Sequence, residues 1–136
     1  STGVASDQDI LNCLKGFLKK KNIFLLHTPM TYQGSELNLN RIKYLKEKYK
    51  IKCGYSHHYK DSKAIEIILP LNPDSIFIYI KGRKKKGRSF PDHGHALYFK
   101  ELHNLFKKCN NIYEMLGFGN KMNKKIKIFD KVKINK

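Results

Sequence analysis

The chain has 136 residues, 40% hydrophobic and 12% aromatic, enough for one compact domain with its own core and too apolar for wholesale disorder. Its 28 Lys and Arg against 11 Asp and Glu leave a formal charge of +17. The longest uncharged apolar runs, Ile67–Leu71 and Ile76–Ile80 among them, fall far short of the ~20 residues of a membrane span, so no membrane segment or signal segment is expected.

Ser6-Asp7-Gln8-Asp9 has the form of a capping box, and Ile10, Leu11, Leu14, Phe17 and Leu18 follow at helical spacing. Lys19-Lys20-Lys21 suits the negative end of that helix. Ile23–Leu26 reads as a short strand buried on both faces. Asn38 or Asn40 then caps a second helix with Ile42, Leu45 and Tyr49 on one stripe, and Ile51–Tyr55 is a second strand. A third helix, capped by Asp61 or Ser62, runs from Ala64 to about Leu69, where Pro70 and Pro73 close it. Ser75–Ile80 is a third strand, rich in β-branched and aromatic residues. A loop to about Leu97 follows, then a helix over Phe99–Leu116 that Gly117 and Gly119 stop.

Strands that alternate with helices imply an α/β fold with a parallel sheet. Here that means about four strands with flanking helices, half of a (β/α)8 barrel. Four strands cannot close, which predicts exposed edges and pairing with a partner or a second copy. In such folds ligands bind at the C-terminal strand ends. The residues standing there are Ser1-Thr2-Gly3, His27 to Tyr32, Gly54 to His58, and Lys81 onward to His93. Hydroxyls, glycines, histidines and cations on one rim suit an anionic, oxygen-rich ligand. Adjacent histidines in a strand point opposite ways, so at most one of His57 and His58 faces such a site. Met30 and Met115 read as packing residues.

Lysine supplies all but three of the cations; Arg41, Arg83 and Arg88 are the arginines. Arginine is the residue suited to bidentate phosphate and base contacts, so the charge argues against nucleic acid as partner, with the Arg83–Arg88 cluster left as a candidate phosphate-gripping loop. Cys13, Cys53 and Cys109 form an odd, scattered set with no CxxC, against a disulfide scaffold or zinc ribbon and consistent with a reducing, cytoplasmic setting.

The ordered set Ser1-Thr2-Gly3, Leu25-Leu26-His27, Tyr32, Leu45-Lys46, Gly54-Tyr55-Ser56-x-His58, Pro91-Asp92-His93 and Phe99-Lys100-Glu101-Leu102 resembles the sialic acid (N-acetylneuraminate) synthase family over residues 1–118. The family fold is a (β/α)8 barrel followed by an antifreeze-like domain. The resemblance covers its last four β/α units, with residues 119–136 as a basic tail and no antifreeze-like domain. Family members condense phosphoenolpyruvate with an N-acyl-hexosamine, releasing phosphate and forming a nine-carbon 2-keto acid for surface polysaccharides. A divalent metal, manganese or magnesium, serves the reaction.

By that resemblance Ser1 and Ser56 hold the phosphate, His58 is a metal ligand, and Tyr32 and Asp92 contact the amino sugar. Three departures stand out. His57 replaces an acidic residue, and Met30 replaces a polar one. The family's last-strand Glu-Lys-His falls on Phe77-Ile78-Tyr79, removing a catalytic carboxylate and a second histidine ligand, for which His93 or His95 are candidate replacements. No catalytic residue is thereby assigned. The expectation is a synthase fragment, inactive alone, that needs the missing barrel half and self-associates. The alternatives are an inactive paralogue that binds sugar or a partner protein, and a basic nucleic-acid-binding module.

Overall fold

The computed structural model describes residues 1–17, 23–82 and 90–117. Helix α1 (Asp7–Lys15) begins at the expected capping box. The Asp9 N–H donates to Ser6 Oγ at 3.2 Å, and the Ser6 N–H donates to Asp9 Oδ2 at 2.9 Å. Strand β1 (Leu25–His27) leads to α2 (Arg41–Tyr49). Asn40 stands at the cap of α2 without a side-chain bond, while the carbonyl of Asn38, a left-handed residue, accepts the Arg41 N–H. Strand β2 (Cys53–Ser56) leads to α3 (Lys63–Ile68), where Ser62 stands at the cap without a side-chain bond and the Asp61 side chain accepts the Lys63 N–H. Pro70 sits in the 3-10 turn Leu69–Leu71 that ends this helix. Strands β3 (Ile76–Phe77), β4 (Ile80–Lys81) and β5 (Leu97–Tyr98) precede α4 (Phe99–Leu116), whose bounds are those expected and whose stop is Gly117 at φ +61°.

All described strand pairs are parallel. One sheet has the order β1-β2-β3 and a second pairs β4 with β5. The fold is thus α/β, a parallel sheet with flanking helices. The expected single strand Ser75–Ile80 is two strands, because the backbone changes partner: the Phe77 carbonyl accepts the His57 N–H, and the Tyr79 carbonyl accepts the Leu97 N–H. The stretch before Leu97 is correspondingly not all loop; it holds the 3-10 turn Pro91–Gly94 and feeds β5. At the outer edge of β1 the Thr2 N–H donates to the Leu26 carbonyl, so Ser1–Gly3 lies where a preceding strand would end.

Alternation fixes what each sheet face meets. Leu25, Cys53 and Tyr55 point to the helices and form the core with Ile42, Leu45, Ile65, Ile68, Leu102 and Leu105. Phe24, Leu26, Gly54, Ser56 and Phe77 share the other face by register. Phe24 and Phe77 are each 46% exposed there and stack with centroids 6.1 Å apart. β1 is therefore buried on one face, not two as expected: half a barrel leaves its inner face without the opposing strands. Met30 and Met115, expected to pack, are exposed, one in the loop after β1 and one in the last turn of α4. Cys13, Cys53 and Cys109 are unpaired, the first exposed and the other two buried. Asp7 ties α1 to α2 through Arg41, Lys48 and Tyr44, and these partners hold its carboxyl well below the usual range. No described helix is long and apolar enough to cross a membrane. The expected helix end at Lys19–Lys21, the Arg83–Arg88 cluster and the tail 119–136 lie outside the described residues.

Candidate functional site

Strand β2 builds the site because its residues divide strictly between two faces. Gly54 is required by close packing: a Cβ there would stand 2.7 Å from the Ser75 carbonyl oxygen of the neighbouring strand. Tyr55 and His57 turn to the helix side, both fully buried, with rings 6.0 Å apart. Burial pushes the Tyr55 hydroxyl up to about 12 and the His57 imidazole down to about 4, so both are neutral at pH 7. Ser56 lies on the inner face, 4% exposed, and the ladder continues past it through the His57 N–H. His58 follows two residues beyond Ser56, its ring against those of Tyr79 and His95. Of the adjacent histidines one faces the rim, and it is His58.

The Pro91–Gly94 turn carries the other half of the site to this point. His58 and His95 have ring centroids 4.6 Å apart. One ligand atom each from His58, Asp92 and His95 lies within 4.8 Å of the others. His95 Nε2 stands 3.4 Å from Asp92 Oδ1, yet neither ring nitrogen of this buried imidazole makes a hydrogen bond among the described residues. Tyr79 closes one side edge-on, 5.2 Å from His58 and 5.1 Å from His95. His93 points elsewhere: its ring packs on Phe90 at 5.4 Å while its carbonyl accepts a bond from Lys81. Tyr32 reaches the same turn, its hydroxyl 3.4 Å from where a Gly94 Cβ would be. Ser1 stands apart from this cluster on the β1 edge. Its hydroxyl donates to Thr28 Oγ1 at 2.8 Å, and Thr28 in turn donates to the Leu26 carbonyl.

Sequence reasoning thus marked His58, Asp92 and Tyr32, which the fold gathers around one turn, and Ser56, one strand step before His58. It treated Thr28 only as part of the rim and weighed His95 only beside His93. A hydroxyl directly after an apolar strand, and a histidine two residues beyond Asp92-His93, were the available signals. Two imidazoles and a carboxylate are a donor set for a divalent ion, and the buried His95 nitrogens, neither in a hydrogen bond, fit that use. The apolar exception is Phe77, in register with Ser56 where a carboxylate was sought.

The model of the NeuB family matches residues 1–121. The N,N'-diacetyllegionaminic acid synthase of Campylobacter jejuni is 33% identical over 126 residues, which cover 88% of this chain and 37% of that protein. The crystal structure of N-acetylneuraminic acid (sialic acid) synthetase from Leptospira borgpetersenii, in complex with citrate, matches with a TM-score of 0.75 at 27% identity, over 90% of this chain and 43% of the other. The chain therefore spans about two-fifths of the length of these relatives.

Proposed function

The chain belongs to the NeuB family, and from that premise we propose that it is the closing part of the barrel of a sialic-acid-synthase-like enzyme. Residues 1–118 form the half-barrel and 119–136 a basic tail. The substrates are phosphoenolpyruvate and an N-acyl amino sugar. C3 of phosphoenolpyruvate bonds to the sugar aldehyde carbon, water adds at C2, and phosphate leaves from C2 to give a nine-carbon 2-keto acid. The missing barrel half comes from the same or another chain, and the open inner face favours self-association until it does. The setting is the cytoplasm.

What supports this reading is Ser56 at the end of a central parallel strand, the ligand atoms of His58 and Asp92 within 4.8 Å of each other just beyond it, and the Tyr32 hydroxyl against the same turn. Ser56 would donate its hydroxyl to the phosphate, with Ser1 at the neighbouring strand end, since hydroxyls and backbone N–H groups at strand ends cradle phosphate. Tyr32 would hold the amino sugar, and Asp92 would meet it from beside His58, with which it forms a candidate metal site. His58 would hold a divalent metal, manganese or magnesium; such an ion polarises a carbonyl oxygen when bound.

The test is to co-purify the chain with the portion of the Leptospira synthetase that it does not cover and to measure phosphate release from phosphoenolpyruvate with an N-acyl-hexosamine. The reading expects release from the pair, none from the chain alone, and a large loss in Ser56→Ala. Release unaffected by Ser56→Ala would refute the role of that residue. One observation favours a second reading, an inactive paralogue that binds sugar or a partner. Phe77 presents an apolar ring beside Ser56 and stacks on Phe24. Binding of phosphoenolpyruvate without release would support it.

A further inference from the structure

The structure assigns His95, not His93, as the second imidazole of a two-histidine, one-carboxylate metal site with His58 and Asp92, a site selective for first-row transition ions over magnesium. The resemblance placed a second histidine on the last strand, where this chain has Tyr79. Tyr79 leaves that place without a ligand, but its ring is not idle. It packs edge-on against both His58 and His95 and so lines the pocket that holds them. His95 arrives from a different element, the end of the Pro91–Gly94 turn, just before β5. The Ala96 and His95 N–H groups both bond back to the Asp92 carbonyl, which fixes the spacing of the carboxylate and the imidazole along this turn.

Three facts separate this arrangement from chance proximity. The side chain of His95 is only 4% exposed, yet its Nδ1 has no hydrogen bond and its Nε2 meets only Asp92 Oδ1, at 3.4 Å and without hydrogen-bond geometry, a cost that native structures rarely leave uncompensated. Its ring lies 4.6 Å from that of His58, with which it shares no covalent neighbourhood. The competing histidine, His93, packs its ring on Phe90 and is not among the residues whose ligand atoms converge. Two nitrogen ligands and one oxygen ligand suit manganese, iron, cobalt, nickel or zinc, whereas magnesium demands oxygen. Three protein ligands also leave positions open for substrate oxygens. This inference leans on the proposed function only for what the ion would serve; binding itself concerns the chain and the metal alone.

The experiment is NMR of the histidine ring signals of the purified chain, titrated with manganese chloride and separately with magnesium chloride, plus cobalt chloride titrations read by visible absorption. Sub-stoichiometric manganese is expected to broaden His58 and His95 and leave His103, an exposed histidine on α4, sharp. Cobalt should bind at one equivalent, at least tenfold more weakly to His95→Gln than to wild type and within twofold of wild type to His93→Gln. Magnesium at tenfold higher concentration should leave the ring signals unmoved. Equal broadening of His103, undiminished cobalt affinity in His95→Gln, or magnesium shifts matching those of manganese would overturn the assignment. If His95→Gln fails to fold, the wild-type broadening pattern decides. Loss of the metal pattern with phosphoenolpyruvate still held through Ser56 removes the ligand assignment alone; the reverse result removes the functional reading.

Discussion

Gly54→Ala places a methyl group between β2 and β3, the strand pair that carries the site. The new Cβ would stand 2.1 Å from Ser75 Oγ, 2.7 Å from the Ser75 carbonyl oxygen and 3.2 Å from Leu26 Cδ1. The hydroxyl can rotate away and the leucine can adjust. The carbonyl cannot, because it accepts the Tyr55 N–H at 2.9 Å. Relief therefore requires the strands to part. Overpacking costs about 1–3 kcal/mol, and weakening that ladder bond adds about 1 kcal/mol. Against this, alanine recovers roughly 0.5–1 kcal/mol of the backbone entropy of glycine. The net expected loss is about 1–3.5 kcal/mol, a fall in Tm of roughly 4–12 °C for a chain of this size. Thermal melts followed by circular dichroism measure it. Gly16→Ala is the control: Gly16 is right-handed at φ −70° and its Cβ would meet the nearest described atom at an ordinary 3.5 Å. That variant should melt at or slightly above wild type. A Gly54→Ala chain that melts with wild type would refute the packing argument.

The remaining predictions concern core, acid response and site. Ile68→Ala, at a fully buried position under the sheet, should cost about 2–5 kcal/mol in urea denaturation with little change in m; a loss under 1 kcal/mol would mean that the helix layer is not packed as described. His27 is buried, with Nε2 2.9 Å from the Leu37 carbonyl oxygen, and burial lowers its pKa below the usual 6.5. The unfolded chain then binds the proton that the folded chain refuses, so this contribution to stability is full above pH 6.5 and is lost as pH falls through the depressed value. Denaturation midpoints between pH 7.5 and 5 should fall less steeply in His27→Gln, and an unchanged slope would count against a neutral buried imidazole. Ser56→Ala in the completed barrel should weaken phosphoenolpyruvate roughly 10–100-fold, the value of one hydrogen bond to a charged group.

The elements were legible where local signals agreed. The Ser6–Asp9 capping box and the long amphipathic stripe of α4 specify their helices without help from the rest of the fold. The strands were found but not their ends, since Ile76 to Ile80 is uniformly apolar and β-favouring, and its break is set by which neighbour each carbonyl meets. The exposed inner face was harder to foresee along β1, because a run that would be buried in a whole barrel looks the same in half of one. That only one of His57 and His58 could face the rim followed from alternation alone, and His57 is the buried one. His95 could not be placed in that way, because its partner, His58, is 37 residues away in sequence and only the fold of the Pro91–Gly94 turn brings them together.

The most direct test is phosphorus NMR of phosphoenolpyruvate titrated with the chain after it is joined to the uncovered portion of the Leptospira synthetase. A shifted or broadened phosphorus signal that Ser56→Ala returns to its free position is the expected result. A signal that the assembled barrel leaves untouched, or that moves equally with Ser56→Ala, would contradict a phosphate seat at the end of β2.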